Sequence, residues 1–434
     1  MNYYSTNHKA SPASLQEAVV KGLAPDKGLY MPEQIPLLPQ AFFEHIGEMG
    51  LTEIAQTVAQ SFFGNDIPKE NLDAIVADAL NFEIPLVEIE DGIYALELFH
   101  GPTFAFKDVG ARFMARMLSY FVQERNQENV VVLVATSGDT GSAVANGFLG
   151  VKGIEVVVLY PSGKVSPIQE AQFTTLGQNI TALEIEGTFD DCQALVKSAF
   201  MDKELTSQMF LTSANSINVA RFLPQSFYYF HAYAQLARKG KAGEMVFSVP
   251  SGNLGNLTAG IFAKHMGLPV KRFIAANNRN HVFFDYLYSG QYAPHASVTT
   301  IANAMDVGNP SNFDRILDVY GRDHARIVAD LSGQWHTDDT IRKTIRTVYQ
   351  QTGYVLDPHA ACAYRSLKDG LSPGETGIFL GTAHPAKFRE TVEECLDKSV
   401  DIPPALRAFM HRKKQSQPLS SDFEEFKKTL IRLS

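Results

Sequence analysis

Cysteine is scarce in this sequence, with three in 434 residues. Cys192, Cys362 and Cys395 lie far apart and are odd in number, which argues against a disulfide framework and fits reduced thiols in a cytoplasmic protein. No pair of Cys or His residues has zinc-ligand spacing, so a structural metal is not expected. No apolar run reaches the roughly 18 residues that a membrane-crossing helix needs. The first residues, MNYYSTNHKASPAS, lack the apolar core of a secretory signal, and they contain no arginine to support a transit peptide. No block of like charge occurs, and the net charge is −9. Neither nucleic acid nor a membrane surface is therefore an expected partner. Internal repeats and low-complexity tracts are also missing. What is present is a chain with 45% hydrophobic residues, long enough for two or three domains and a large core.

Residues 1–78 read as mostly helical after a short extended start, because SLQEAVVKGLAP and LTEIAQTVAQSFFG are apolar at helical spacing and stop at Gly or Pro. IPLVEIEDGIYALELF alternates like a hairpin around Asp91-Gly92. From residue 108 onward, continuous β-branched runs alternate with helical stretches: VVVLVATSG, IEVVVLYPSG, ITALEIEG, EMVFSVPSG, VKRFIAANN and TGIFLGTAHP. Such runs mean buried, mainly parallel strands. About 330 residues exceed a usual single sheet, so two open α/β sheets flanked by helices are expected. The tail after Pro403 is charged and is expected to pack loosely.

Open α/β sheets bind ligands at the carboxyl ends of their strands. In VPSGNLGNLTAG, Gly252 and Gly255 allow close backbone approach, Asn253 and Asn256 add donors around Leu254, and a helix start follows. This suits an anion, most often phosphate. The spacing is neither that of a Walker loop nor GxGxxG, and an ordinary Gly-rich turn is the bland alternative. In ATSGDTGSAV, Thr136, Ser137, Gly138, Asp139 and Thr140 crowd donors at another helix start, which is more than one N-cap requires. Lys164 in YPSGKVSPIQE, and Asn215, Asn218 and Arg221 in SANSINVARF, suggest a second anion site, with solvated loops as the alternative. Thr382 and His384 in FLGTAHPAKF read by default as an N-cap and a structural imidazole.

The stretch ELFHGPTFAFKDVGARFM sets Lys107 among Phe99, Phe104 and Phe106 at a helix start. Poor hydration favours the neutral amine, and a neutral amine can attack an aldehyde. A lysine whose stem merely covers the aromatic rings is the alternative. One such lysine plus one phosphate cradle is what pyridoxal 5′-phosphate requires.

Taken together, FHGPTFAFKD, ATSGDTG, PSGNLGN, SANSIN, GTAHPAKF and the start SLQEAVVKGLAPDKGLYMPEQIP resemble the threonine synthase family of fold-type II pyridoxal-phosphate enzymes. The resemblance runs from Tyr4 to about Pro403. It implies a tryptophan synthase β-like fold with an N-terminal segment over 1–78 and a catalytic region over 79–434, in which 98–212 form a smaller mobile part. It implies conversion of O-phospho-L-homoserine and water into L-threonine and phosphate, by a monomer or homodimer. Lys107 would attach the cofactor, and Phe104 and Phe106 would build a dry wall beside it. Gly252, Asn253, Leu254, Gly255 and Asn256 would hold the cofactor phosphate, and Thr382 would face the ring nitrogen. The Thr136–Thr140 loop would bind the substrate carboxylate, and Lys164, Asn218 and Arg221 the substrate phosphate. Two features depart from the family pattern. Asp139 stands where many relatives outside this branch have Asn, so its side chain is expected to cap the loop and turn away. AANNRNH leaves the roles of Asn280 and His281 open. No added regulatory domain is expected. A related dehydratase or phospholyase is the nearest alternative, and a phosphate-binding regulatory protein without chemistry is the alternative from another class.

Overall fold

The structure is a computed structural model that describes residues 1–124 and 130–433. Two short strands, β1 (Tyr3–Ser5) and β2 (Tyr30–Pro32), pair antiparallel in the N-terminal segment. Helices at Leu15–Lys21, Gln40–His45, Leu51–Phe63 and Lys69–Ala79 complete that segment. The first is set by its ends. Ser14 accepts a hydrogen bond from the Glu17 N–H, and Gly22 closes the helix at φ 70°, a left-handed angle that suits glycine.

The hairpin strands β3 (Leu86–Glu90) and β4 (Ile93–Glu97) follow, and the helix Lys107–Glu124 leads into the next sheet. There β5 (Val130–Ala135), β6 (Ile154–Pro161), β7 (Ile180–Glu186) and β8 (Phe210–Ser213) run parallel. The chain then returns to the first sheet with β9 (Glu244–Pro250), β10 (Val270–Asn277), β11 (Leu331–Trp335) and β12 (Glu375–Gly381). Last comes β13 (Ser416–Ser420).

The larger sheet has the order β11-β10-β9-β12-β4-β3 and the smaller β13-β7-β6-β5-β8. Every pair is parallel except β3 with β4. The expectation of two open, mainly parallel sheets holds, and its cause is visible in β5, which is buried at all six positions. Helices cover both faces of such a strand, so its sequence shows a continuous apolar run without alternation.

The tail departs from expectation. β13 pairs with β7 in parallel register, and the helix Phe423–Leu433 buries Phe426 and Leu430 against Leu183, Ile185 and Leu195. Lys427 pairs with Asp202 and Glu204. The charges that suggested looseness lie on one side of an amphipathic helix whose other side completes the smaller sheet's core. Among the described residues no helix is long and apolar enough to cross a membrane.

Candidate active site

Lys107 opens its helix directly after a loop that pairs with the segment following β12. The Phe106 N–H donates to Thr382 O at 2.9 Å, the His384 N–H donates to Phe104 O at 3.1 Å, and Ala105 bridges Ala383. Thr382 is thereby fixed beside Lys107. Phe104 adopts φ 57°, an uncommon angle for a bulky residue and costly unless its surroundings impose it. Its N–H donates to Gly101 O at 3.0 Å, and its ring meets His384 edge-on at 5.8 Å. Burial pushes the His384 imidazole down to about 4, so at neutral pH it is an uncharged structural group. Next to Lys107, the buried Asp108 accepts hydrogen bonds from Thr103 N–H at 2.9 Å and Thr103 Oγ1–H at 2.6 Å.

The Lys107 ammonium lies 5.9 Å from the Phe106 ring centre. Burial lowers its pKa from 10.5 to about 8, with Asp139 acting upward and Arg221 and Lys387 acting downward. Desolvation is the dominant cause, as the aromatic setting suggests.

The loop after β9 carries Leu254 at φ 60°, and the helix Gly255–His265 begins at once. The first turn of any helix leaves N–H groups without helical acceptors. The hydroxyls of Tyr228 and Tyr229 donate to Asn256 Oδ1 at 2.6 and 2.8 Å, which fixes the orientation of that amide. Asn256 Nδ2 is buried and has no hydrogen-bond partner among the described residues. Asn253 serves the loop itself: its Nδ2 donates to Ser216 Oγ at 2.7 Å, and its Oδ1 accepts from the Ser311 N–H at 2.5 Å. A Cβ on Gly252 would come within 2.8 Å of Ala304 O, and one on Gly255 within 3.3 Å of Ser216 Cβ. Close packing requires glycine at 252, and it admits a side chain at 255 only with a small shift of Ser216.

The loop after β5 is braced by Thr136, whose Oγ1 accepts from the N–H groups of Gly138 at 2.9 Å and Gly141 at 2.8 Å. That leaves Ser137, Thr140 and the N-terminus of the helix Asp139–Phe148 as its outward donors. Asp139 does not cap the loop. Its carboxylate pairs with Lys387 at 2.5 Å and accepts from Gln169 Nε2 at 2.8 Å. Burial opposes its charge, but the ammonium groups of Lys387 and Lys107 with these hydrogen bonds hold its pKa down at about 2.

After β8, Arg221 is buried against the Lys107 helix, where a Cβ on Gly110 would stand 3.3 Å from Arg221 Nε. One terminal nitrogen donates to Ala214 O. Nε is buried without a partner among the described residues. Burial lowers this guanidinium to about 10, opposed by Asp108, so it is a cation at neutral pH.

Two candidates for the second anion site do not offer it a side chain beside Arg221, although Asn218 is a neighbour whose carbonyl accepts the Arg221 N–H at 3.0 Å. Asn218 is fully buried and caps the helix Val219–Phe222. Its Oδ1 accepts from the Ala220 N–H at 3.0 Å, and its Nδ2 donates to Val19 O at 2.8 Å, so its polar atoms serve the fold. Lys164 is exposed after β6. β5 stands between β6 and β8, so the two loops fall on opposite sides of it. Asn280 and His281 also have structural places. Asn280 Nδ2 donates to Val298 O and Asp306, and His281 stacks on Trp335 at 4.7 Å.

Residues 81–380 match the family described as pyridoxal-phosphate dependent enzyme, residues 2–80 match the threonine synthase N terminus, and residues 360–430 match the threonine synthase C-terminal family. A threonine synthase of Serratia marcescens is 44% identical over 433 residues, covering 100% of both chains. The chain belongs to the threonine synthase family. The crystal structure of threonine synthase from Escherichia coli superposes with a TM-score of 0.93 at 43% identity, covering 100% of each chain. A pyridoxal-phosphate-bound threonine synthase from Brucella melitensis gives 0.94 at 35% identity, covering 100% of this chain and 99% of that one. This member of the family is thus a pyridoxal-phosphate-dependent lyase. Its residues fit that cofactor: one helix start carries a desolvated lysine, Lys107, and another follows a glycine loop and holds a buried amide donor, Asn256 Nδ2, without a partner among the described residues.

Sequence reading missed Lys387, Gln169, Tyr228 and Tyr229, and with them Asn312, which donates to Asn253 O at 3.0 Å, and Arg315, which donates to Asn312 Oδ1 at 2.6 Å. Lys387 and Gln169 stood inside motifs already singled out, GTAHPAKF and YPSGKVSPIQE, so a signal was there. The others have no local signal, since each acts on a loop distant in sequence.

Proposed function

We propose that the chain converts O-phospho-L-homoserine and water into L-threonine and phosphate, with the site residues divided as follows. Two buried donors without partners among the described residues, Asn256 Nδ2 and Arg221 Nε, carry this reading. A buried donor left unmatched is costly, and a substrate and a cofactor that each bring a phosphate would satisfy both.

The first donor belongs to the cofactor. Asn256 and the N–H groups of Gly252, Leu254 and Gly255 hold its phosphate, and Asn253 holds the loop in shape. Lys107 attaches it, Phe106 walls it, and the neutral Thr382 hydroxyl meets its ring nitrogen. The bound cofactor supplies an electron sink beside the substrate Cα.

The second donor belongs to the substrate. Arg221 binds the leaving phosphate and offsets the charge that develops on it. Ser137, Thr140 and nearby N–H groups bind the α-carboxylate, and Thr136 braces them. With a pKa near 8, the Lys107 amine takes the proton from Cα and can return it. The dry surround of Phe104, Phe106 and Ala105 keeps stray water from the reacting carbons. The smaller part, residues 98–212, moves as a body toward the larger sheet when substrate binds.

The test compares Arg221→Ala with the parent on O-phosphohomoserine and on serine. Loss confined to the phosphorylated substrate, with cofactor retained, supports the assignment. Equal loss on both makes Arg221 a structural residue.

A further inference from the structure

Lys387 follows β12 in the 3-10 turn Pro385–Phe388. Its side chain is 0% exposed, an uncommon fate for a lysine. It holds together three segments that meet at the site. Nζ pairs with Asp139 of the β5 loop at 2.5 Å and donates to Thr103 O, in the loop before Lys107, at 2.8 Å. Gln169 Nε2 completes the shell around Asp139, and Gln172 Nε2 donates to the same Thr103 carbonyl at 3.1 Å.

Asp139 therefore has two lysines within electrostatic reach, Lys387 in contact and Lys107 beyond it. A buried carboxylate without a cation is strongly disfavoured. If Lys387 were absent, Lys107 would be the remaining ammonium for it. A Lys107 so paired would be held protonated, and a protonated amine cannot attack an aldehyde or accept a proton. The same pairing lets a buried Asp139 sit in this loop as a carboxylate, since Lys387 cancels the charge at its source.

We propose that Lys387 is a positioning residue that occupies the Asp139 carboxylate and so leaves the Lys107 amine free for the cofactor. This rests on the reading that Lys107 is the attachment lysine. The charged groups acting on Lys107 are Asp139 from the β5 helix, Arg221 from the segment after β8, and Lys387 from the turn after β12. Of these only Asp139 raises its pKa, so Lys387 acts in two ways. It adds a repulsive cation, and it holds the one attractive anion in a contact of its own.

The test follows the rate at which the visible band of lysine-bound cofactor grows when pyridoxal phosphate is added to apo-protein, from pH 6.5 to 10. Lys387→Met should move the midpoint upward by about one pH unit or more. Asp139→Asn should move it downward. The double variant, which leaves neither charge, should return it toward the parent value, and Lys387→Arg should stay near it. If Lys387→Met does not fold, Asp139→Asn and the double variant still decide. Midpoints that coincide in all folded variants overturn the proposal, as does a double variant that follows Lys387→Met. No band in the parent protein would instead overturn the assignment of Lys107 itself.

Discussion

The loops after β9 and β5 share one plan, a buried parallel strand passing through glycine into a helix, yet they are held differently. The β9 loop is pinned from distant parts of the chain. Tyr228 and Tyr229 hold Asn256, and Ser216, Ser311 and Asn312 hold Asn253. Behind them lies Arg315, which is fully buried. It donates to Asn312 Oδ1 at 2.6 Å, Ile217 O at 2.6 Å and Tyr30 O at 3.1 Å, and it stands 4.1 Å over the Phe222 ring. The β5 loop relies on its own Thr136 and on Gln169 of the helix Pro167–Thr174, which follows β6. Its ion pair to the larger sheet runs through Lys387. A cradle built this way is set before any ligand arrives, whereas a loop tied mainly to its own sheet can travel with that sheet. Under the proposed function, cofactor retention and substrate closure rest on different supports.

Predictions follow from that contrast. Lys107→Arg keeps charge and bulk but cannot attach the cofactor. Turnover should fall to background while far-ultraviolet circular dichroism and thermal melting stay near the parent, and residual turnover of more than a few per cent would refute it. Asn256→Ala should raise the cofactor dissociation constant by about one to two decades, the loss of one charge-assisted contact of about 1.5–3 kcal/mol. Equilibrium dialysis measures it. Arg221→Ala should cost a similar one to two decades, but in kcat/KM for the phosphorylated substrate and with cofactor affinity kept. A swap of these two outcomes would reverse the division between the loops.

Much of this arrangement was legible from sequence. Strands buried on both faces show continuous runs such as VVVLVA, and glycine marks the junctions where ligands approach. The position of a loop within the sheet was not legible. Lys164 and Arg221 both follow strands of the smaller sheet, but the order β13-β7-β6-β5-β8 puts β5 between them, and strand order does not show in a local pattern. Asn218 looked like a ligand because an N-cap and a binding residue use the same amide. The tail was misjudged on its charge, and the polar SQPLS with Pro418, a composition that fits an edge strand, gives no sign of its partner β7 more than 200 residues away. Lys387 was in view, but its role depends on Asp139, an acidic residue whose own partner the motif does not show.

Smaller effects sharpen the comparison. Tyr228→Phe removes one neutral hydrogen bond from Asn256, so it should weaken cofactor binding by up to about tenfold. Thr136→Val should leave cofactor binding unchanged and raise KM, since Thr136 braces only the β5 loop. Apo-protein stability carries a small pH signature from Lys107. Its folded pKa of about 8 lies below its ordinary 10.5, so between those values the unfolded chain binds the extra proton. Stability from this group should therefore rise with pH across that window and be absent in Lys107→Met. Urea melts at pH 8 and 10 compare the two. Small-angle scattering with and without a phosphonate substrate analogue should show a slight compaction, and identical profiles would contradict closure.

The central claim is that Lys107 carries the cofactor, and borohydride reduction followed by peptide mapping tests it most directly. The account predicts a stable pyridoxyl group on the peptide containing Lys107 and on no other. Label on Lys387, on Lys164 or on any other lysine would contradict it.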